Sequence, residues 1–327
     1  MKTLRARIIP LSAFGTPPKG DTLFGQVCWA ARNRFCEARL TKLLDGYTQN
    51  QPFAVASDAL PADHLPRPVL PGHWFEMAQN TDRKTVKKLA WMPLEYIKAT
   101  PVANWLAHCQ LGTAIPGGTM AEHPQPHNTL NRDTGTTGQG QFAPYTMNQL
   151  WYGQKTKDTT PSPILKLDLY WVLDEARLTA DELCQLLEDI GTLGFGRDAS
   201  IGLGKFRVDS FDPFDLPAQP DANAWLTLGP CAPQGLAWQS THCFYTPFTR
   251  FGRHGDLGVH LTHGPFKAPV LLANTGAVLT PTDYQTKSFI GQGLGGNGSL
   301  SKTIPATVHQ GYAPVIGIKL PTRKEMP

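Results

Sequence analysis

The side chains best suited to proton transfer or metal binding near neutral pH are the ten histidines. Three lie close in sequence, His254, His260 and His263, with His242 and Cys243 upstream. Zinc would accept such ligands, but an H-x-x-H spacing among Gly255, Gly258 and Gly264 describes a turn without fixed geometry, and no metal is expected. His73, beside Trp74, and His309, in VHQGY, are candidates for a general acid or base. No Lys, Tyr or second His stands at a spacing that completes a catalytic set. His309 reads equally as a ligand contact or a hydrogen-bonded core residue. The acidic residues between 174 and 189 fall on the outer face of a predicted helix, as solvated surface or a protein-docking edge.

Two glycine-rich stretches carry more information. Gly194-Phe195-Gly196-Arg197-Asp198-Ala199 matches G-x-G-x-x-A, and Gly291-Gln292-Gly293-Leu294-Gly295-Gly296 matches G-x-G-x-x-G. A dinucleotide site needs a strand before that motif and a helix after it, because the pyrophosphate rests on the helix N-terminus. The first stretch has a helix before and a strand after, and the second runs into Asn297, Gly298 and Pro305. No nucleotide cofactor is expected. What remains is bare backbone, which tolerates positive φ and can turn N–H groups toward phosphate oxygens. Arg197, Lys205 and Lys302 add cations nearby. Two readings stand: a surface that holds single-stranded RNA by its phosphates, and irregular turns without a ligand.

The elements that must position these loops follow from hydrophobic pattern. Residues 3–11 read as a first strand, and Asp21 as the N-cap of a helix beginning at Thr22, with Phe24, Val27, Cys28, Ala31 and Phe35 on one stripe. Arg32, Arg34, Arg39 and Lys42 mostly face away. Residues 46–160 read mostly as insertion, with FAVAS (53–57) as its one compact strand, and 128–152 as a hairpin or arm with a Gly/Thr tip. Residues 164–173 form the clearest strand. Thr179 and Glu182 are a capping box opening a second helix, for which Gly191 is the natural stop. Residues 203–211 are another strand.

The fold class is thus α+β, with a first βαββαβ unit, the ferredoxin-like scaffold also used by RNA-recognition motifs. It spans 1–211 with an insertion at about 60–160. A proline-rich linker at 212–222 precedes a C-terminal part, 223–327, which holds strand candidates and no helix: a second, degenerate unit.

Composition limits the rest. The chain has 327 residues, 17% charged, with Gly 31 and Pro 29, so loops outweigh helix. Six cysteines without a C-x-x-C pair suit reduced thiols in a cytoplasmic protein, and the first twenty residues form neither a signal nor a membrane span. The net charge is +4, yet residues 168–222 hold twelve Asp/Glu against four Lys/Arg, which leaves +12 elsewhere. One face suits an anionic polymer and another a protein partner.

GFGRDASIGLGKF between a helix and a strand resembles the C-terminal glycine-rich loop of the RAMP superfamily of CRISPR proteins. FGTPPKGDTLFGQVCWA (14–30), NTLNRDTGTTGQGQFAPY (128–145) and FIGQGLGGNGSLSKTIPATVHQGYAPVIGIKLP (289–321) extend the resemblance to the fourth-subunit family of type III-A (Csm) interference complexes. The resemblance implies two ferredoxin-like halves and a non-catalytic, antiviral ribonucleoprotein subunit without cofactor or metal. Its partners would be the 5′ tag of crRNA, the large Cas-ten-type subunit, a backbone RAMP subunit and, through the 128–152 thumb, target RNA at the guide start. It implies an RNA surface from Lys19, Gly20, Asp21, Thr22 and Phe24, and from Gly194, Gly196, Arg197, Ser200, Gly202, Gly204 and Lys205. Gly291, Gly293, Gly295, Gly296, Ser301, Lys302, His309, Gln310 and Tyr312 complete it, with Arg132 and Arg250. Some RAMP relatives are metal-independent endoribonucleases that process repeat RNA, the alternative activity.

Overall fold

The structure, a computed structural model, describes residues 1–76, 82–153, 164–235, 237–255 and 260–321. Gly258, parts of the expected insertion (77–81 and 154–160) and residues 322–327 lie outside the described residues. The first strand, β1 (Lys2–Pro10), sends Leu4, Ala6 and Ile8 into the core by alternation. It leads to α1 (Gly20–Phe35) and α2 (Glu37–Leu44), then to β2 (Ala54–Ala56) and β3 (Leu60–Pro61).

Residues expected to be mostly irregular insertion build a sheet of their own. Its elements are β4 (His64–Pro66), the short helix α3 (Arg83–Lys88), β5 (Leu89–Pro93), β6 (Gln110–Leu111), β7 (Ala114–Ile115), β8 (Gly118–His127) and β9 (Tyr145–Tyr152). The strands pair in chain order from β4 to β9. β8 and β9 form a long hairpin whose register runs from Met120 opposite Tyr152 to His127 opposite Tyr145, so the expected arm is the loop and one leg of a ribbon. Buried Trp74 and Trp105 anchor this region against the second half of the chain, a role that Pro and Gly content conceals.

The chain returns to the first sheet in β10 (Leu167–Leu173), every residue of which is buried, then α4 (Ala180–Leu193) and β11 (Phe206–Pro213). Both bonds of the Thr179–Glu182 capping box are present. The helix continues past Gly191, which is glycine because a Cβ would strike the Phe206 carbonyl, and stops at Gly194, φ 103°. The sheet order is β11-β1-β10-β2, all antiparallel, with β3 also on β10, α1 following β1 and α4 following β10.

The sheet face opposite the helices is closed. Asp168 on β10, fully buried, accepts two bonds from Arg7 at 2.7 and 2.8 Å, and Arg5 lies over the Phe214 ring. Tyr170 is buried there as well, so this ring is not open for base stacking in the manner of an RNA-recognition motif.

The second half comprises β12 (Ala224–Thr227), β13 (Pro247–Arg250), β14 (Val270–Ala273), β15 (Val278–Leu279), β16 (Phe289–Gly295) and β17 (Val308–Ile318). Four strands pair as β15-β12-β17-β16, and β13 pairs β14. Among the described residues no α-helix follows α4, so this half has a sheet without the two helices of a full βαββαβ unit. The segment expected as a linker is packed: Gln219 is buried and bonds Ile97 O, Thr100 O and Lys319 N. One core cluster joins Leu65, Met92 and Trp105 of the insertion to Leu226, Ile316 and Ile318.

Candidate nucleic-acid interface

The first glycine loop is tied to two other segments. Phe195 is fully buried and serves as its anchor. Around it Gly194, Gly196, Asp198, Gly202 and Gly204 all take positive φ. Gly204 is decisive, since at φ 70° a Cβ would run into the backbone of Phe195. Gly204 N donates to Ala13 O, Leu11 N to Lys205 O, and Arg197 N to Thr16 Oγ1. Arg197 Nη2 donates to Asn148 O on β9 at 2.7 Å, and Phe14 pairs with Leu150 on the same strand.

Residues 11–16, the 194–205 loop and β9 thus share one ledge. Ser200 and Lys205 are exposed on it, rimmed by exposed Leu11, Leu193 and Ile201. The amides of Phe195, Ile201, Gly202, Leu203 and Gly204 already donate to carbonyls within the protein. The expected cradle of free main-chain N–H groups is therefore largely spent, and the ledge offers side-chain cations and close backbone approach instead.

Several residues of the expected RNA surface are engaged within the protein instead. Asp21 is 3% exposed and receives Arg250 Nε and Nη2 at 2.6 and 2.9 Å, with His309 Nε2 at 3.4 Å. Burial pushes the Asp21 carboxyl up, but the contacts and charges of His309 and Arg250 outweigh it and hold the group well below the usual carboxylate range. These residues bolt α1 to β13 and β17. Asp21 is not the N-cap: that position is Lys19, and Asp58 Oδ1 accepts from Gly20 N. Lys19 Nζ is held by Asp58 and Asn274 at 3.0 Å each. Phe24 stacks on Tyr47 in the core, and Thr22 is half-buried.

The second glycine stretch is a strand. β16 pairs with β17 from Phe289 opposite Pro314 to Gly295 opposite Val308. Gly293 is glycine because the Tyr47 backbone and ring press against it, and Gly291, φ 97°, because Gly311 does. Gly295 stays in the ladder, while Gly296 and Lys302 are exposed. Ser301 is buried and bonds His254 Nε2 at 2.8 Å. Gln310 and Tyr312 are fully buried and leave the candidate surface: Gln310 bonds both polar groups of Ala56, and Tyr312 donates to Tyr47 O at 2.6 Å.

Beside β16 lies a groove of about 510 Å³ lined by Gln49, Asn50, Gln234, Thr286, Lys287, Ser288 and Gln292. Of these only Gln292 falls in an expected stretch, because scattered amides and hydroxyls leave no motif. Arg132 sits exposed in the arm's loop.

The histidines do not assemble. His254 is buried, where burial and the charge of Lys267 lower its pKa to about 4, while His260 and His263 are exposed. Among the described residues no three His, Cys, Asp or Glu side chains are placed to hold a metal ion. His73 is exposed in a turn beside Trp74. The acidic helix is partly neutralised from within: Arg34 pairs with Asp189 at 2.7 Å and Arg39 with Glu182 at 3.5 Å, so these arginines of α1 and α2 face α4 rather than solvent alone.

This geometry has counterparts among solved structures. A chain of a Csm1–Csm4 cassette in complex with pppApA matches with a TM-score of 0.58 at 16% identity, over 98% of this chain and 99% of its own. The cassette in complex with cA4 gives 0.58 and 16%, over 98% and 100%. A chain of the Csm3–Csm4 subcomplex of the type III-A CRISPR-Cas interference complex gives 0.52 and 12%, over 94% and 99%. The chain shares the fold of these Csm-assembly subunits. The likeness spans nearly all of both chains, so it takes in the insertion sheet and the strands after β11 as well as the first sheet. No family model and no curated protein matches the chain. Among the described residues no helix is long and apolar enough to cross a membrane.

Proposed function

We propose that the chain is a Csm4-type subunit of a type III-A CRISPR effector, binding the 5′ tag of crRNA and joining both the large Cas-ten-type subunit and a backbone RAMP subunit in the cytoplasm. In this reading the first half is a ferredoxin-like RAMP unit, the second its degenerate counterpart, and the 128–152 arm reaches target RNA at the guide start. The observation that carries it is the ledge, where Gly194–Lys205, residues 11–16 and β9 meet under Arg197 and Lys205. Phosphate contacts of this kind hold a strand without reading its bases.

A shared fold does not fix chemistry, and the chemistry here is that of binding. His309, on which the endoribonuclease alternative leans, is 8% exposed and faces Asp21.

The test is co-expression with a CRISPR array and the other Csm subunits, followed by sequencing of the RNA retained on the purified particle. Retention of RNA with a uniform repeat-derived 5′ end, reduced by Lys205→Glu, supports the reading. A particle that excludes this chain, or RNA of random ends, refutes it.

A further inference from the structure

Many cations among the described residues have partners: Arg7 binds Asp168, Lys19 binds Asp58, Arg34 binds Asp189, Arg250 binds Asp21, and Arg177 caps the carbonyls ending α2. Helix α3 differs in gathering four cations on one short element. Arg83, Lys84, Lys87 and Lys88 are all exposed, and among the described residues none of them forms a salt bridge. At about 100° per residue the four fall within about 140° of arc, over about 7.5 Å of helix. Val86 points away from them into the core shared by the insertion and the second half.

The helix is held at both ends. Asp82 accepts from the amides of Lys84 and Thr85, Arg67 donates to Val86 O, and Gly112 N donates to Lys88 O. Yet Arg83 and Lys87, like Lys84 and Lys88, are like charges at i,i+4, an arrangement that weakens a helix on its own. So many cations fixed on one face, with no apolar side chain among them, call for an external counter-charge. Lysine is depleted at protein interfaces, which need an apolar centre. A phosphate backbone needs only the charges.

We infer that α3 is a second phosphate-binding surface, separate from the ledge, that grips the backbone of a single-stranded polyribonucleotide. It belongs to the same sheet as the ledge: α3 leads into β5, and β9, which receives Arg197, lies four strands away. At about 4.8 Å per strand that is about 19 Å, a span that several nucleotides cover. The inference rests on the reading of the chain as an RNA-holding subunit, and it gives the insertion a task.

The test is the affinity of the full chain for a labelled 30-nucleotide single-stranded RNA as a function of NaCl, comparing wild type with Arg83→Gln/Lys84→Gln/Lys87→Gln/Lys88→Gln and with Arg197→Gln/Lys205→Gln. Each neutralised phosphate on a single strand contributes about 0.7 to the slope of log Kobs against log salt. The α3 variant should lower that slope by about 2 to 3, and Lys84→Arg/Lys87→Arg/Lys88→Arg should keep it, separating charge from folding. An unchanged slope in the α3 variant, with loss in the ledge variant, overturns the inference and spares the proposed function. No RNA binding by wild type at any salt overturns both. Polyglutamate binding that vanishes with the α3 charges while RNA binding stays makes α3 a protein-docking face.

Discussion

Gln310 on β17 closes both polar groups of Ala56 on β2: Ala56 N donates to Gln310 Oε1 at 2.9 Å, and Gln310 Nε2 donates to Ala56 O at 2.9 Å. The amide side chain acts as one more rung of hydrogen bonding between the two halves, in full burial. Gln310→Leu strips Ala56 of both partners. Two unsatisfied buried backbone groups cost about 1–3 kcal/mol each, so the expected loss is about 2–6 kcal/mol by urea unfolding. Unaltered stability with weakened RNA binding would return Gln310 to the surface.

The Asp21–Arg250 pair predicts non-additivity. Removing one member of a buried pair costs about 3–5 kcal/mol because the other charge is stranded, whereas replacing both by apolar residues is far cheaper. Asp21→Leu/Arg250→Met should therefore be more stable than either single variant. Single losses that simply add would show that the two act independently.

The ledge separates geometry from charge. Lys205 is exposed, with no bond from its side chain to another group among the described residues, so Lys205→Glu should lie within about 0.5 kcal/mol of wild type in stability while weakening RNA binding. Gly204→Ala should instead cost about 2 kcal/mol or more through its positive φ and the Phe195 backbone behind it. Gly196 behaves like Gly204, because its Cβ would meet Thr16 at 2.8 Å, so no substitution there is a clean test of binding. A Gly204→Ala protein as stable as wild type would contradict this packing.

Acid should weaken the protein through His254. Its folded pKa, about 4, lies below the ordinary value of 6.5, so folding favours the neutral ring. That contribution is complete above pH 6.5 and is lost as pH falls from there toward 4. Thermal midpoints should decline across this window in wild type and stay flatter in His254→Gln. Asp21, whose carboxyl is depressed, adds its own loss only below the ordinary Asp range near pH 4. Parallel curves for wild type and His254→Gln would remove His254 from this role.

The first sheet was legible wherever a local signal sufficed. Alternation marked β1, dense apolar content marked β10 despite Asp168, and Thr179 with Glu182 marked the start of α4 to the residue. The ledge was legible in part: its glycines were found, but Gly194, Gly196 and Gly204 serve packing against Leu203, Thr16 and Phe195, and of the contact residues expected in this loop only Lys205 and Ser200 are exposed. What composition hides is partnership across distance. β16 reads as a loop because its glycines suit turns, and it is a strand because β17 supplies every cross-strand neighbour. Phe24, Asp21, His309 and Tyr312 look like a polar and aromatic binding set, yet each meets its partner far along the chain. The insertion sheet escaped for the same reason, its buried tryptophans resting on the second half.

Tyr312 lies in the core of the first half, more than two hundred residues after the helices it touches. During synthesis the β1–β11 sheet leaves the ribosome without that plug, and α1 shows solvent the flank that β17 later covers. The nascent chain must therefore wait in a half-closed state, exposed to chaperones and proteases, until its last described strand arrives. A stop codon shortly before β17 would leave an aggregation-prone fragment rather than a smaller working protein.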